Sequence, residues 1–245
     1  MVDWDRRNIM KHFLLGDNLG LCLIRINRDD LCTALPVKFI SDKTIISSKD
    51  NANVFPLYLY QEWNGTMQKA PNLNSEIVKK IEAAIGEVSP EDIFNYIYAV
   101  LHSPSYREKY KEFLKIDFPR IPYPQSAAEF HRLAELGGQL VAIHTMKDFP
   151  EAPDVAFTDG GDRVVDKVEW KDGDVFVNKK SFFTGVERET FDQYIGGYQP
   201  LQKWLKDRKG RALSDADVSH YKRIVQALRR TAELMSEIDQ PAQNA

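Results

Sequence analysis

Between Ile195 and Arg211 the chain reads Ile-Gly-Gly-Tyr-Gln-Pro-Leu-Gln-Lys-Trp-Leu-Lys-Asp-Arg-Lys-Gly-Arg. Lys203, Lys206, Arg208, Lys209 and Arg211 stand there against a single acid, Asp207. The chemistry open to such a segment is non-covalent: clustered cations match the closely spaced negative charge of a nucleic-acid backbone. Tyr198 offers a ring to pack on sugar or base. Gln199 offers an amide that donates and accepts together, the pairing that suits adenine, as arginine suits guanine. Arg25, Lys38 and Lys43 in the first part of the chain are further candidates, and so is Arg120 in a proline-rich stretch. Each has an ordinary alternative. Cations at a helix end also suit the helix dipole, and the other side chains also fit plain surface or core packing. Arg107, Lys109, Lys111 and Lys115 alternate with Glu108 and Glu112, which reads as a salt-bridged helix.

Covalent chemistry finds weaker support. Asp154, Glu169 and Lys171 resemble a metal-dependent nuclease pattern, in which two acids on adjoining strands hold a divalent ion that activates water. The spacing is loose, and Glu169 and Lys171 alternate as a solvated strand face would. Ile121-Pro122-Tyr123-Pro124 has the prolines and aromatic of an adenine-methyltransferase motif but lacks its leading amide or acid, so it reads as a linker. No phosphate loop of known spacing is present. His12, His102, His131, His144 and His220 lie far apart, and none forms a metal pair at helical spacing.

The totals set bounds. With 245 residues the chain can bury a substantial core. A net charge of −3 argues against a general nucleic-acid binder and leaves room for a sequence reader with one basic face. Cys22 and Cys32 are too few for a disulfide framework and read as reduced thiols. There is no long apolar run and no leader with a basic start and apolar middle, so neither a membrane span nor a secretion signal is expected, and the location expected is cytoplasmic.

The elements that must position these residues form an α+β pattern: a β-rich N-terminal part, central helices, a β-hairpin and a long C-terminal helix. Strands are expected at residues 19–26, 37–41, 44–47 and 54–60, with Asp42-Lys43 at a hairpin tip. They would form a mixed sheet against the central helices. Residues 64–74, polar with Gly65 and Pro71, read as an irregular connection. Helices follow at 75–85, with Ile77, Ile81, Ala84 and Ile85 inward, and from Ser89-Pro90-Glu91-Asp92, a strong start signal. A short helix restarts at Ser103-Pro104. Ser126 and Glu129 predict a capping box for a helix running to about Met146. A second β-rich piece spans 163–183 with a turn at Asp172-Gly173. In the basic segment Gly196-Gly197 form a turn, Pro200 starts a helix, and Leu201, Trp204 and Leu205 bury one face. Ser214 caps the last helix, 215–238.

Several segments together resemble the C-terminal specificity domain of type ISP restriction-modification enzymes and related single-chain methyltransferase-restriction proteins. They are Asn18-Leu19-Gly20-Leu21 with Arg25; Phe55-Pro56-Leu57-Tyr58-Leu59-Tyr60; residues 97–107, Ile-Tyr-Ala-Val-Leu-His-Ser-Pro-Ser-Tyr-Arg; Asp117-Phe118-Pro119-Arg120-Ile121-Pro122; and the Gly-Gly-Tyr to Gly-Arg segment at 196–211. The resemblance runs over nearly the whole chain. It implies a target recognition domain that binds double-stranded DNA and performs no chemistry itself. Methyltransferase and restriction domains, in cis or in trans, would be its partners, and S-adenosylmethionine would bind upstream, with no cofactor in this chain. The family is bacterial or archaeal. On this reading the chain is a fragment or a separated specificity module, with residues 1–120 as a first part and 121–245 completing the same module. A metal-dependent nuclease and a protein-interaction scaffold docking through the last helix are the alternatives.

Overall fold

The structure, a computed structural model, describes residues 6–26, 34–47, 50–147 and 149–241. Two compact units emerge: residues 1–145 with 234–245, and residues 146–233. The division expected after residue 120 lies inside the first unit. Cys32 falls outside the described residues, and Cys22 is a buried free thiol.

The first unit opens with α1 (Arg7–Met10) and a 3-10 turn, Lys11–Phe13. Strands β1 (Gly20–Ile24), β2 (Ala34–Val37) and β3 (Ala52–Pro56) form a sheet in the order β2-β1-β3. Both pairings are antiparallel, so the sheet is not mixed. Met10, Phe13, Cys22, Val37, Ile46, Ala52 and Val54 form its core. The strands expected at 37–41 and 44–47 are absent: β2 ends at Val37, and Asp42 to Ile45 is a turn closed by Ile45 N–H donating to the Asp42 carbonyl at 3.3 Å. Asn18 staples the entry to β1. Its side chain donates to the His12 and Tyr58 carbonyls, at 3.1 and 2.8 Å, and accepts from the Leu19 and Tyr58 N–H groups.

The run expected as one strand over 54–60 breaks at Leu57. Beyond the break, β4 (Tyr58–Trp63) pairs with β5 (Thr66–Pro71) in a separate two-stranded antiparallel ribbon. The irregular connection expected at 64–74 is therefore in large part a strand. Asn64 and Gly65, with φ of 50° and 74°, make the turn, the left-handed pair that a two-residue hairpin requires.

Helices α2 (Ser75–Ile85), α3 (Pro90–His102), α4 (Pro104–Lys109), α5 (Lys111–Leu114) and α6 (Ala127–His144) follow. The cap of α2 is Asn74, and only Ile81 of its expected inward set is buried, with Ile77 exposed. The Ser89–Asp92 capping box of α3 is present on both sides. At α6, Ser126 accepts from Glu129 N–H, but the Glu129 carboxylate accepts from Gln125 N–H rather than from the cap residue. Residues 117–124 form no regular element. α3 is buried along most of its circumference, because α6 packs closely on it through Gly137. Between these helices Tyr98, His102 and His144 cluster, with the Tyr98 hydroxyl 2.6 Å from His144 Nδ1 and 3.3 Å from the Ala34 carbonyl.

In the second unit β6 (Ala156–Thr158), β7 (Glu169–Lys171), β8 (Asp174–Phe176) and β9 (Phe182–Thr184) form an antiparallel sheet in the order β6-β9-β8-β7. The Asp172-Gly173 turn joins β7 to β8 as the sequence predicts. α7 (Arg188–Asp192) and α8 (Pro200–Lys206) precede α9 (Asp215–Asp239), whose last six residues in sequence, from Leu234, belong to the first unit. Val175, Phe183, Leu201, Leu205, Tyr221 and Val225 make the centre of this core. Sheets and helices thus occur throughout, the α+β class the sequence predicts.

Candidate nucleic-acid interface

The basic segment is built on a closed turn. Ile195 N–H donates to the Tyr198 carbonyl at 2.8 Å, and Tyr198 N–H returns to the Ile195 carbonyl at 3.3 Å. Gly196, buried with φ of 61°, takes the conformation that a side chain would strain. Pro200 then starts α8, and Leu201 and Leu205 are fully buried, as their spacing predicts. The Gln199 amide donates to the Asp192 carbonyl at 3.1 Å, which ties the turn to the end of α7. Tyr194, Gly197, Tyr198, Gln199, Gln202, Lys203, Lys206 and Asp207 line a cavity of about 300 Å³. Tyr194, more than half exposed, was not singled out from the sequence, although it is the second tyrosine beside the turn.

The cations do not form one outward face. The Arg208 guanidinium lies 3.5 Å above the Trp204 ring, donates to the Trp204 carbonyl at 3.0 Å, and meets Asp217 at 3.2 Å. Its side chain is only 23% exposed, so packing holds it against the fold. Arg211 also reaches Asp217, at 2.7 Å, but stays 58% exposed. Asp217 therefore serves three partners, because it also closes a capping box with Ser214 at the start of α9. Burial disfavours its charge, yet the Ser214 N–H and hydroxyl and the two guanidinium groups outweigh burial and hold its carboxyl far below the usual range. The sequence shows Asp207 as the acid among these cations; the fold adds Asp217. Lys203 pairs with Asp207 at 2.7 Å and lies 5.6 Å from the Tyr198 ring centre. Lys206 donates to Gln202 at 3.2 Å. Lys209 is exposed, and its ammonium has no partner among the described residues.

The remaining candidates lie in the first unit. Arg25 pairs with Asp117 at 2.8 Å and sits 5.8 Å from the Phe118 ring, which meets Phe55 edge-on. Arg120 is exposed, and its carbonyl accepts from the Tyr106 hydroxyl at 2.9 Å. The hydrogen bond from Arg25, then that from Phe118 N–H, hold the Asp117 carboxyl below its ordinary range, and Arg120 adds to this. Arg25 thus pairs with Asp117 although 92 positions separate them in sequence, and Arg120 adds only a weaker electrostatic pull on the same acid. Lys38 is exposed just past β2, and Lys43 is exposed in the turn after Asp42.

The nuclease pattern does not assemble. Asp154 precedes β6 and Glu169 lies on β7, the two opposite edges of the sheet, three strand intervals or roughly 14 Å apart. Asp154 is paired with Arg229 at 2.7 Å and Glu169 with Lys167 at 2.6 Å. No group of metal-ligating side chains occurs among the described residues. Arg229, unremarked in the sequence, also binds Glu187 and the Gly185 carbonyl and ties α9 to the loops around β9.

A family model described as the Type ISP C-terminal specificity domain matches residues 1–237. No curated protein matches the chain. Three solved structures share its fold. The ATP-dependent Type ISP restriction-modification enzyme LlaBIII bound to DNA is 18% identical, with a TM-score of 0.73 over 92% of this chain. The DrdV–DNA complex is 23% identical, with a TM-score of 0.73 over 94%. A nuclease-deletion mutant of the Type ISP enzyme LlaGI, in complex with a DNA substrate mimic, is 19% identical, with a TM-score of 0.68 over 94%. The chain spans 16%, 25% and 22% of those three chains, respectively.

Proposed function

The chain belongs to the family of Type ISP C-terminal specificity domains, and from that membership we infer that it selects the target sequence on duplex DNA for a restriction-modification enzyme. The observation that carries the reading is the family match across 237 residues. Structures of the same fold in complexes with DNA support it. The domain itself makes and breaks no bond. Methyl transfer from S-adenosylmethionine and strand cleavage belong to other domains, in the same polypeptide or a partner, and the setting is the cytoplasm.

Positioning on the duplex falls to Lys203, Lys206, Lys209 and Arg211, which contact phosphates. Arg208 acts through the fold: stacked on Trp204 and bound to Asp217, it fixes the direction of α8 and of Arg211. Tyr198 and Tyr194 supply rings at the cavity, and Gln199 holds the turn that presents them. Arg25, Arg120, Lys38 and Lys43 are the contacts of the first unit. Among the described residues no helix is long and apolar enough to cross a membrane.

Binding measured against salt concentration tests this assignment. Replacing Lys206 or Lys209 by alanine weakens binding to all sequences alike and lowers the salt slope by about one unit for each. Arg208→Ala lowers thermal stability as well, whereas Lys209→Ala leaves it unchanged. Unaltered slopes in both lysine variants overturn the phosphate assignment on α8.

A further inference from the structure

The β4–β5 ribbon stands in solvent over its outer part: every residue from Gln61 to Asn72 is exposed. A two-stranded ribbon uncovered on both faces is marginally stable by itself, and this one also carries apolar surface, with Trp63 66% and Met67 43% exposed. The register sets Gln61 opposite Gln68 and Trp63 opposite Thr66. Strand alternation puts these four side chains on one face. Glu62, the single acid from Gln61 to Pro71, belongs to the other set, with Met67 and Lys69. Neither Gln61 nor Gln68 has a side-chain hydrogen bond among the described residues. Two exposed amides on directly paired positions thus look outward from a surface that none of the described residues covers.

Resting on the reading of the chain as a DNA-selecting domain, we propose that the β4–β5 ribbon enters the major groove and that Gln61 and Gln68 read adenines there. The groove, about 12 Å wide and about 8.5 Å deep, admits a two-stranded ribbon. Laid along the groove, the ribbon turns the face of Gln61, Trp63, Thr66 and Gln68 to the base edges. A glutamine amide donates to adenine N7 and accepts from its N6 amino group, a two-point contact that other bases do not offer. Directly opposed side chains start about 5 Å apart, close enough to address neighbouring base pairs stacked at about 3.4 Å. The face that carries the two amides has no carboxylate to repel phosphate. Lys69, on the other face, rests 3.7 Å above the Tyr58 ring, and the Tyr58 hydroxyl donates to Glu91 at 2.6 Å, which steadies the base of the ribbon.

The test is selection of bound duplexes from a randomised pool by the full chain, at one fixed salt concentration. The wild-type chain selects a preferred sequence. Gln61→Ala and Gln68→Ala each relax one A·T position, with discrimination there falling roughly 5- to 150-fold while the other positions persist. Both side chains are exposed, so thermal unfolding stays unchanged. A preference that neither variant alters overturns the assignment, and so does a uniform weakening over all sequences; both outcomes leave the DNA-selecting reading intact. A wild-type chain that selects nothing overturns that reading first, and the ribbon's role with it.

Discussion

Tyr221 shows how far a single atom departs from the rule that buried polar groups are paired. The side chain is fully buried, its ring 4.2 Å from that of Phe183 and 5.6 Å from that of Trp204, and its hydroxyl has no hydrogen-bond partner among the described residues. An orphan hydroxyl costs roughly 1–3 kcal/mol of desolvation, so its removal relieves more than the small void costs. Tyr221→Phe is therefore expected to leave stability unchanged or raise it by about 1 kcal/mol, read from urea denaturation. A loss of about 1 kcal/mol or more would mean that the oxygen is held. The same scale explains what the sequence withheld about the basic segment. The residue types were legible, as was the burial of Leu201 and Leu205. The inward turn of Arg208 was not, because its partner Asp217 lies across a turn on the next helix. The pairing of Arg25 with Asp117 was hidden for the same reason: it depends on two segments meeting in the fold, and no local pattern encodes that meeting.

At the scale of elements, the readable signals were those settled within four residues. The Ser89–Asp92 box, the Ser126 and Ser214 caps and the Asp172-Gly173 turn all formed, since each satisfies backbone groups locally. β5 was missed although Asn64-Gly65 is a hairpin signal. Its residues, Thr-Met-Gln-Lys-Ala-Pro, lack apolar alternation because neither face is buried. Helix contact was equally hard to read. An added Cβ at Gly137 would stand 1.9 Å from the Asn95 carbonyl oxygen, while at Gly138 it would stand 3.1 Å from the Asn95 amide nitrogen. The first clash is with backbone, so Gly137→Ala forces α3 and α6 apart, a loss of roughly 1–3 kcal/mol despite alanine's better helix propensity. The second meets a side chain that is free to turn, so Gly138→Ala is expected to stay within about 1 kcal/mol of the wild type. Thermal unfolding separates them, at roughly 2–4 °C per kcal/mol for a chain of this size. Equal melting temperatures for the two variants would remove Gly137 as the contact that sets the helix spacing.

For the whole molecule, charge and ionisation decide how the fold meets acid. A chain with 36 acids and 33 strong cations has no net pull toward DNA, so binding must come from local arrangement. Four histidines behave as one class. Burial lowers His12, His102, His144 and His220, with Lys11 adding to the effect at His12, Arg107 at His102 and His144, and Arg208 at His220; His144 falls to about 4. In the fold these four rings take up protons at lower pH than in an unfolded chain, where uptake centres near 6.5. Their contribution is therefore complete above about pH 6.5 and is lost as pH falls toward 4. The carboxylates act later in the same direction. Asp117, Asp154 and Asp159 are held low chiefly by arginine hydrogen bonds. At Glu187 burial is the largest single influence and pushes upward, but the Arg229, Thr190 and backbone contributions together outweigh it. All four carboxylates lose their stabilisation only as pH falls through and below the ordinary carboxylate range. The melting temperature should thus begin to fall between roughly pH 7.5 and pH 5, before carboxylates protonate. Replacing His144 by glutamine keeps a hydrogen-bonding group near Tyr98 but removes the titration, so the variant should show a shallower decline over that interval even if it melts lower throughout. A wild-type melting temperature that stays flat to about pH 5 would mean that the histidine cluster accepts protons in the folded state.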